Sequence, residues 1–425
     1  MTLAVIILTV VVLLLLRVPV AFAILLPSLF YLLLAEGQTV GLAVQRMAAG
    51  VDSFPLLAVP LFILTGYVAN AAGVADRLFE FLRQAFGRVR GTIGYVNVTS
   101  SLAFSWMSGA AIADAAGLGS ILVPAMRRQG YSGGFAAGLT GASSMIGPIM
   151  PPSIPAIVYA VTAGVSIGAL FFAGVIPAFL LAVVLLIYVW WTTRKRDDLR
   201  GTPTRGRELA KSGVKAIPIF VTPVIVLGGI LGGVFTPTEA AAAAVMWILV
   251  LGVIYRSLTV RALGDTLLRT TRTTAQIMII VAAASVFSFV VSRERGPALL
   301  ADAMLGVTEN QVVFLLMLIV FLVLVGMLLE PVAAILLTAP VVLPVAEEFG
   351  VDPLHMGVIM ILALVIGLLT PPIGLVLYVL TSVTDLSFGT IARGTLPFLV
   401  PLFVALLLVT FVPDLSLALP RALGL

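Results

Sequence analysis

Cysteine is absent from all 425 residues, and histidine occurs once, at His355. The first absence removes disulfides, thiolate metal sites and a thiol nucleophile. The second leaves no set of imidazoles to converge on a metal, and His355, beside an acidic loop, is expected to be solvated. Charge is scarce too: Asp, Glu, Lys and Arg make up 10% of the chain, against roughly 25% in soluble domains. No paired carboxylates fall at a common depth, so acid–base or metal chemistry lacks its parts and an enzyme is not expected. What fills the chain is apolar, at 61% hydrophobic residues and a mean hydropathy of +1.21. That composition belongs in a bilayer. The net charge of +5 comes from basic residues gathered in short loops, where it reports topology rather than a polyanionic partner. The run 3–16 has no basic segment before it and is followed by Arg17, which predicts a retained first helix rather than a signal peptide.

The residues that punctuate helices repeat at one offset. Pro124, Gly130, Gly147, Pro151, Pro152, Gly174 and Pro177 recur 220 positions later as Pro344, Gly350, Gly367, Pro371, Pro372, Gly394 and Pro397. Chance would match about one or two of them at a fixed offset, so the chain reads as two related halves. Loop charges change sign between the halves. The stretch 76–90 carries Arg77, Arg83, Arg88 and Arg90, whereas 296–310 has no Lys or Arg and includes Asp302 and Glu309. Likewise Arg127 and Arg128 pair with Glu347 and Glu348. By the positive-inside rule the equivalent loops face opposite sides of the membrane, the pattern of inverted-topology repeats.

The expected architecture is an all-α polytopic membrane protein of two inverted repeats, each with about five transmembrane spans, one re-entrant hairpin and a broken helix. The first repeat covers 1–193, with scaffold helices in 1–72, an arm helix at 76–90, a hairpin at 91–125 and a broken helix at 132–164. A basic cytoplasmic linker follows at 194–214, just after the interfacial pair Trp190 and Trp191. The second repeat covers 215–425, with scaffold helices in 215–292, an arm at 296–310, a hairpin at 311–345 and a broken helix at 354–384. Each hairpin stretch is too long for one untilted span of about 20 residues and is flanked by charge of one sign, so it enters and returns on the same side. The first tip, around Ser105 to Ala111, is small and partly polar; the second lies at Gly326 to Pro331. The arm 76–90 alternates apolar Leu78, Phe79, Leu82 and Phe86 with charged residues, as an interfacial brace or a solvated connector would.

The broken helices carry the chemistry. Adjacent prolines with a nearby glycine, at Gly147 to Ser153 and Gly367 to Gly374, remove donors and unwind the helix locally. Bare carbonyls at membrane depth suit a dehydrated Na⁺, and half-helix N-termini present N–H groups to an anion. No Lys or Arg lies within either hairpin or broken helix, so a carboxylate would be held by helix ends, hydroxyls and bound Na⁺. Candidate contacts are Ser108, Ser144, Ser153, Thr370 and Thr381, with Gly374 at a helix end. Asp114 and Glu330 could be ion ligands, proton carriers or helix caps; the capping role is favoured slightly.

At these residues the chain resembles the large membrane subunit of tripartite ATP-independent periplasmic (TRAP) transporters. The resemblance covers nearly the whole length: the opening Arg17-Val18-Pro19-Val20-Ala21-Phe22-Ala23, the turn Phe235-Thr236-Pro237-Thr238-Glu239-Ala240-Ala241-Ala242, and both Pro-Pro motifs. It implies a sodium-coupled elevator transporter in the bacterial inner membrane, with a small membrane subunit bracing the scaffold. A periplasmic binding protein would deliver a small carboxylate of the C4-dicarboxylate, sialic acid or keto-acid class. It implies no cofactor beyond Na⁺ as coupling ion. Carried onto matching positions, the family's first sodium site would use Ser105, Ser108, Gly147, Met150 and Pro152, and the second Gly326, Gly367, Thr370 and Ile373. Ala110 and Ala111 stand where further hydroxyls are common, and Glu330 where an Asp is usual; these departures bear on the substrate more than on the ion. The alternative is a stand-alone sodium/dicarboxylate symporter needing no binding protein. Its tips would be expected to read Ser-Asn-Thr, which neither tip does. A channel would show a continuous polar face.

Overall fold

The structure is a computed structural model that describes residues 2–34, 40–201 and 204–425. The described residues fold into helices; no strand forms, and Arg90 and Arg200 make one isolated bridge. Hydrocarbon offers no partner for a bare peptide group, so an apolar chain satisfies its backbone within each segment. Eight helices among the described residues are long and apolar enough to cross a membrane: Phe54–Ala71, Ile167–Thr193, Gly206–Leu231, Pro237–Ile254, Val260–Arg293, Gln311–Leu328, Pro331–Glu348 and Phe388–Phe411. Several starts are fixed by local chemistry. At the Phe235-Thr236-Pro237 turn, Thr236 and Glu239 form a reciprocal capping box, with Pro237 at the first helical position.

Each of the two predicted hairpins is a pair of helices joined by a two-residue turn. The first is Thr92–Ser108 and Ala111–Arg128, the second Gln311–Leu328 and Pro331–Glu348. The turns at 109–110 and 329–330 are tighter than the tips read from the sequence, because the helix continues through Ser105 and Ser108, and through Gly326 to Leu328. Both predicted breaks are present: Gly133–Ser144 and Ile154–Ala163 flank one unwound segment, Pro353–Gly367 and Leu375–Val383 the other. Each contains a cis Pro-Pro bond.

These parts interlock crosswise. The return arm of the first hairpin packs on Leu375–Val383, and that of the second on Ile154–Ala163. Gly133–Ser144 lies against Phe388–Phe411 so closely that a Cβ at Gly134 would meet the Thr390 carbonyl at 3.2 Å. Around this unit stand Val20–Leu34, Val40–Val51, Ala58–Ala71 and Pro237–Ile254, gathered on the long helix Val260–Arg293 and on each other.

The arm is a helix, Val74–Ala85, that buries Val74, Ala75 and Leu78 against the first hairpin and Gly206–Ala216. On its outer side Arg83 pairs with Glu80 at 2.9 Å, and that hydrogen bond holds the Glu80 carboxyl below its ordinary pKa. The linker is shorter than expected, since helix resumes at Gly206 and runs to Leu231 as one span. Leu199 pins both ends of the first hairpin: its carbonyl accepts from Gly91 N at 2.9 Å and from Gln129 Nε2 at 3.0 Å. His355 is not solvated. It is buried, with Nε2 3.2 Å from the Thr410 carbonyl, because the helix it begins is packed on all sides.

Candidate functional site at the two hairpin tips

The first tip sits directly on the first unwound segment. Gly109 adopts φ +63°, and a Cβ there would lie 2.5 Å from the Pro152 carbonyl oxygen, so only glycine allows the approach. Every residue from 145 to 153 is buried. Beneath the tip a polar network ties the two helices together. Asn97 donates to Thr140 Oγ1 at 2.7 Å, Ser143 donates to Asn97 Oδ1 at 2.8 Å, and Ser101 donates to Ser143 at 2.8 Å.

Asp114 is fully buried in the return arm, and a Cβ on Gly147 would collide with its Oδ2. Neither carboxylate oxygen has a hydrogen-bond partner among the described residues, nor does the buried Ser108 Oγ. Asp114 is therefore not a cap, which corrects the role favoured from sequence. Orphaned oxygens at such depth are costly unless an ion, proton or water completes them.

The second tip is built differently. Gly326 and Gly367 meet backbone to backbone, and a Cβ on Gly367 would fall 2.5 Å from the Val323 carbonyl. Glu330 is an N-cap, its Oε2 accepting from Val332 N at 3.0 Å. The unwound segment is partly open: Thr370, Pro371 and Ile373 are half-buried and Pro372 is exposed.

Ser105, Ser108, Gly147, Met150 and Pro152 thus share the first tip and its unwound segment. Gly326 and Gly367 touch at the second, with Thr370 and Ile373 further along the same segment. Ile373 also lines a separate, mostly apolar cavity of about 1280 Å³.

A cavity of about 1010 Å³ lies between both tips and the surrounding helices. Of the predicted anion contacts, Ser108 lines it, whereas Ser144, Ser153, Thr370, Gly374 and Thr381 do not. Their hydroxyl protons are already used: Ser144 donates to Gly141, Ser153 to Pro148, Thr370 to Ile366 and Thr381 to Leu377. In their place the wall opposite the tips supplies Tyr67, Asn70, Arg269, Thr273 and Gln276. These were missed because the search stayed within the broken helices. Polar residues at i, i+4 and i+7 on the long helix were the available signal.

Among the described residues no three His, Cys, Asp or Glu cluster as for a transition metal. Carbonyls, hydroxyls and one carboxylate are the donors on offer, a set suited to a hard cation.

A transporter fold accounts for this arrangement. The chain is similar to the solved YdaH transporter of Alcanivorax borkumensis, with a TM-score of 0.59 over 90% of this chain and 87% of that one at 17% identity, a likeness of fold alone. The family is more specific. Residues 7–415 match the profile of the tripartite ATP-independent periplasmic transporter, DctM component, and the chain belongs to that family. It is 44% identical to the sialic acid TRAP transporter large permease protein SiaM of Vibrio cholerae over 95% of both chains. It is 36% identical to the C4-dicarboxylate TRAP transporter large permease protein DctM of Pseudomonas aeruginosa, covering 94% of this chain and 93% of that one. The chain is therefore a multi-pass inner-membrane permease and not an enzyme. Membership implies a small membrane subunit and a periplasmic binding protein as partners.

Proposed function

We propose that this permease drives uptake of a small carboxylate, of the sialic acid class, with an inward Na⁺ gradient and by an elevator movement. The observation that carries the reading is the pairing of two hairpin tips with two unwound segments around one shared cavity. The likeness to SiaM supports the substrate class, and the relative DctM keeps C4-dicarboxylates as a competing one.

On this reading the hairpins and broken helices move as a unit against Ala58–Ala71 and Val260–Arg293. One Na⁺ is held at the first tip by Ser108 and the backbone around Gly147, Met150 and Pro152, with Ser105 one turn behind; Asp114 supplies the negative charge. The other is held at Gly326, Gly367, Thr370 and Ile373 by backbone oxygens and one hydroxyl. Filling both sites settles the tips and completes an anion site between them, where Ser108 and helix ends meet the carboxylate. Crossing with ions but no anion, or the reverse, would bury an incomplete site, and that cost enforces coupling.

Length alone would let either arm of the second hairpin cross a bilayer; its re-entrant reading, and the inversion of the two halves, rest on loop charge. The same rule puts Arg17, Arg77 and Arg261 on the cytoplasmic side. The cavity lining includes Pro19, Asn70 and Arg269, near those loops, which supports reading this arrangement as open to the cytoplasmic side.

The test is uptake of labelled sialic acid into proteoliposomes that hold this chain with its membrane subunit, supplied with its binding protein. An inward Na⁺ gradient should drive accumulation that K⁺ does not. Thr370→Phe should abolish it while the complex still assembles. Accumulation without Na⁺, or normal uptake by that variant, would count against the reading.

A further inference from the structure

The scaffold wall of the central cavity carries a polar face that sodium coupling does not use. Arg269, Thr273 and Gln276 stand at i, i+4 and i+7 of Val260–Arg293 and all line the cavity, as Tyr67 and Asn70 do from Ala58–Ala71. Tyr67 Oη and Thr273 Oγ1 are 3.1 Å apart, a hydrogen bond that fixes the two scaffold helices in register. Arg269 is the one Lys or Arg in the lining, and Arg272, three residues on, is not part of it.

Arg269 is exposed on this wall and, like most basic residues here, forms no salt bridge among the described residues; what sets it apart is its place in the cavity lining. Glu330, the carboxylate that also lines the cavity, is turned to the backbone N–H of its own helix. An unpaired guanidinium beside a cavity meant for an anion lacks a partner that the anion would supply in bidentate form.

We propose that Arg269 is a fixed, scaffold-borne contact for the carboxylate of the transported anion, met only when the moving unit stands as it does here. This rests on the transport reading above. Its consequence is directional. Because Arg269 does not travel with the tips, it adds nothing to loading from the periplasmic side and favours the substrate-loaded inward position, receiving the carboxylate as the tips let go.

The test uses the complete transporter in proteoliposomes, with sialic acid as the probe and the binding protein outside. Arg269→Gln should lower the maximal Na⁺-driven uptake rate at least fivefold, with the external half-saturating concentration unchanged within twofold. In counterflow, the internal concentration giving half-maximal exchange should rise at least fivefold. Arg269→Lys should recover most of the rate. A merely interfacial arginine, anchoring the helix at the membrane surface, would leave both sides unchanged in the Gln variant, and that result overturns the proposal. So would a loss confined to external half-saturation. Should Arg269→Gln fail to assemble, Gln276→Leu on the same face should raise the internal half-saturating concentration at least threefold; no change there overturns the proposal equally. Absence of Na⁺-driven uptake by the unaltered chain would instead defeat the transport reading itself.

Discussion

Both hairpin tips rest on their unwound segments through a close glycine approach, yet the first adds a polar network that the second lacks. The first is joined to its broken helix by buried polar contacts, from Asn97, Ser101, Thr140 and Ser143, and leaves the Asp114 carboxylate unpartnered. The second is joined by backbone packing at Gly326 and Gly367, and its carboxylate, Glu330, is spent on a cap. Their unwound segments differ in the same sense, one wholly buried and the other partly open. A hydrogen-bonded joint in low dielectric is directional and rigid, whereas a glycine joint depends only on close approach. The likeness between the halves therefore stops at the backbone. On the transport reading, the first tip would offer an ion a carboxylate beside its carbonyls, the second only neutral oxygens.

Substitutions can break that contrast, and their expected effects fall in a definite order. The largest belongs to the glycine joint: Gly326→Val drives a side chain into the Leu364 carbonyl and should cost about 3 kcal/mol, read as a lower unfolding midpoint in detergent. Retention of the normal midpoint would mean that the joint has slack. Next is the polar joint. Asn97→Leu removes one hydrogen-bond partner from each of Ser143 and Thr140, and we expect a loss of about 2 kcal/mol in the same assay. Third come the carboxylates themselves. Asp114→Asn should raise the Na⁺ concentration for half-maximal uptake about tenfold, equivalent to about 1.4 kcal/mol, while Glu330→Gln moves it less than about threefold. Equal responses would erase the distinction drawn here. The smallest effect sharpens it: Ser105 donates to Leu102 within its own helix at 2.7 Å, so Ser105→Ala should shift stability and Na⁺ dependence by no more than about 0.5 kcal/mol. A larger loss would place its hydroxyl on the ion.

Much of this was legible in the residues. Paired prolines leave few backbone choices, so the interruptions at 145–153 and 368–374 could be read directly. The matching offset of glycines and prolines, and hairpin stretches too long for one span, located the remaining parts. What could not be read was pairing across the fold. Helical periodicity tells which residues share a face, never what that face meets. Arg269 went unremarked within the scaffold segment 215–292, and His355 was expected to be solvated, until the packing around each was known. Asp114 and Glu330 were indistinguishable for the same reason: a carboxylate near a turn can cap a helix or face away from it, and the choice is set by neighbours more than thirty residues off, such as Gly147.

Gly66 touches the first tip where a Cβ would lie 3.1 Å from Ser108 Cα. If the tip rides along Ala58–Ala71, this is a bearing point between carriage and rail, kept smooth by the lack of any side chain. A methyl group there would act as a detent. Its height would decide how long the carriage rests at this stop, and so the speed of the whole machine could be tuned from a residue that binds neither ion nor cargo.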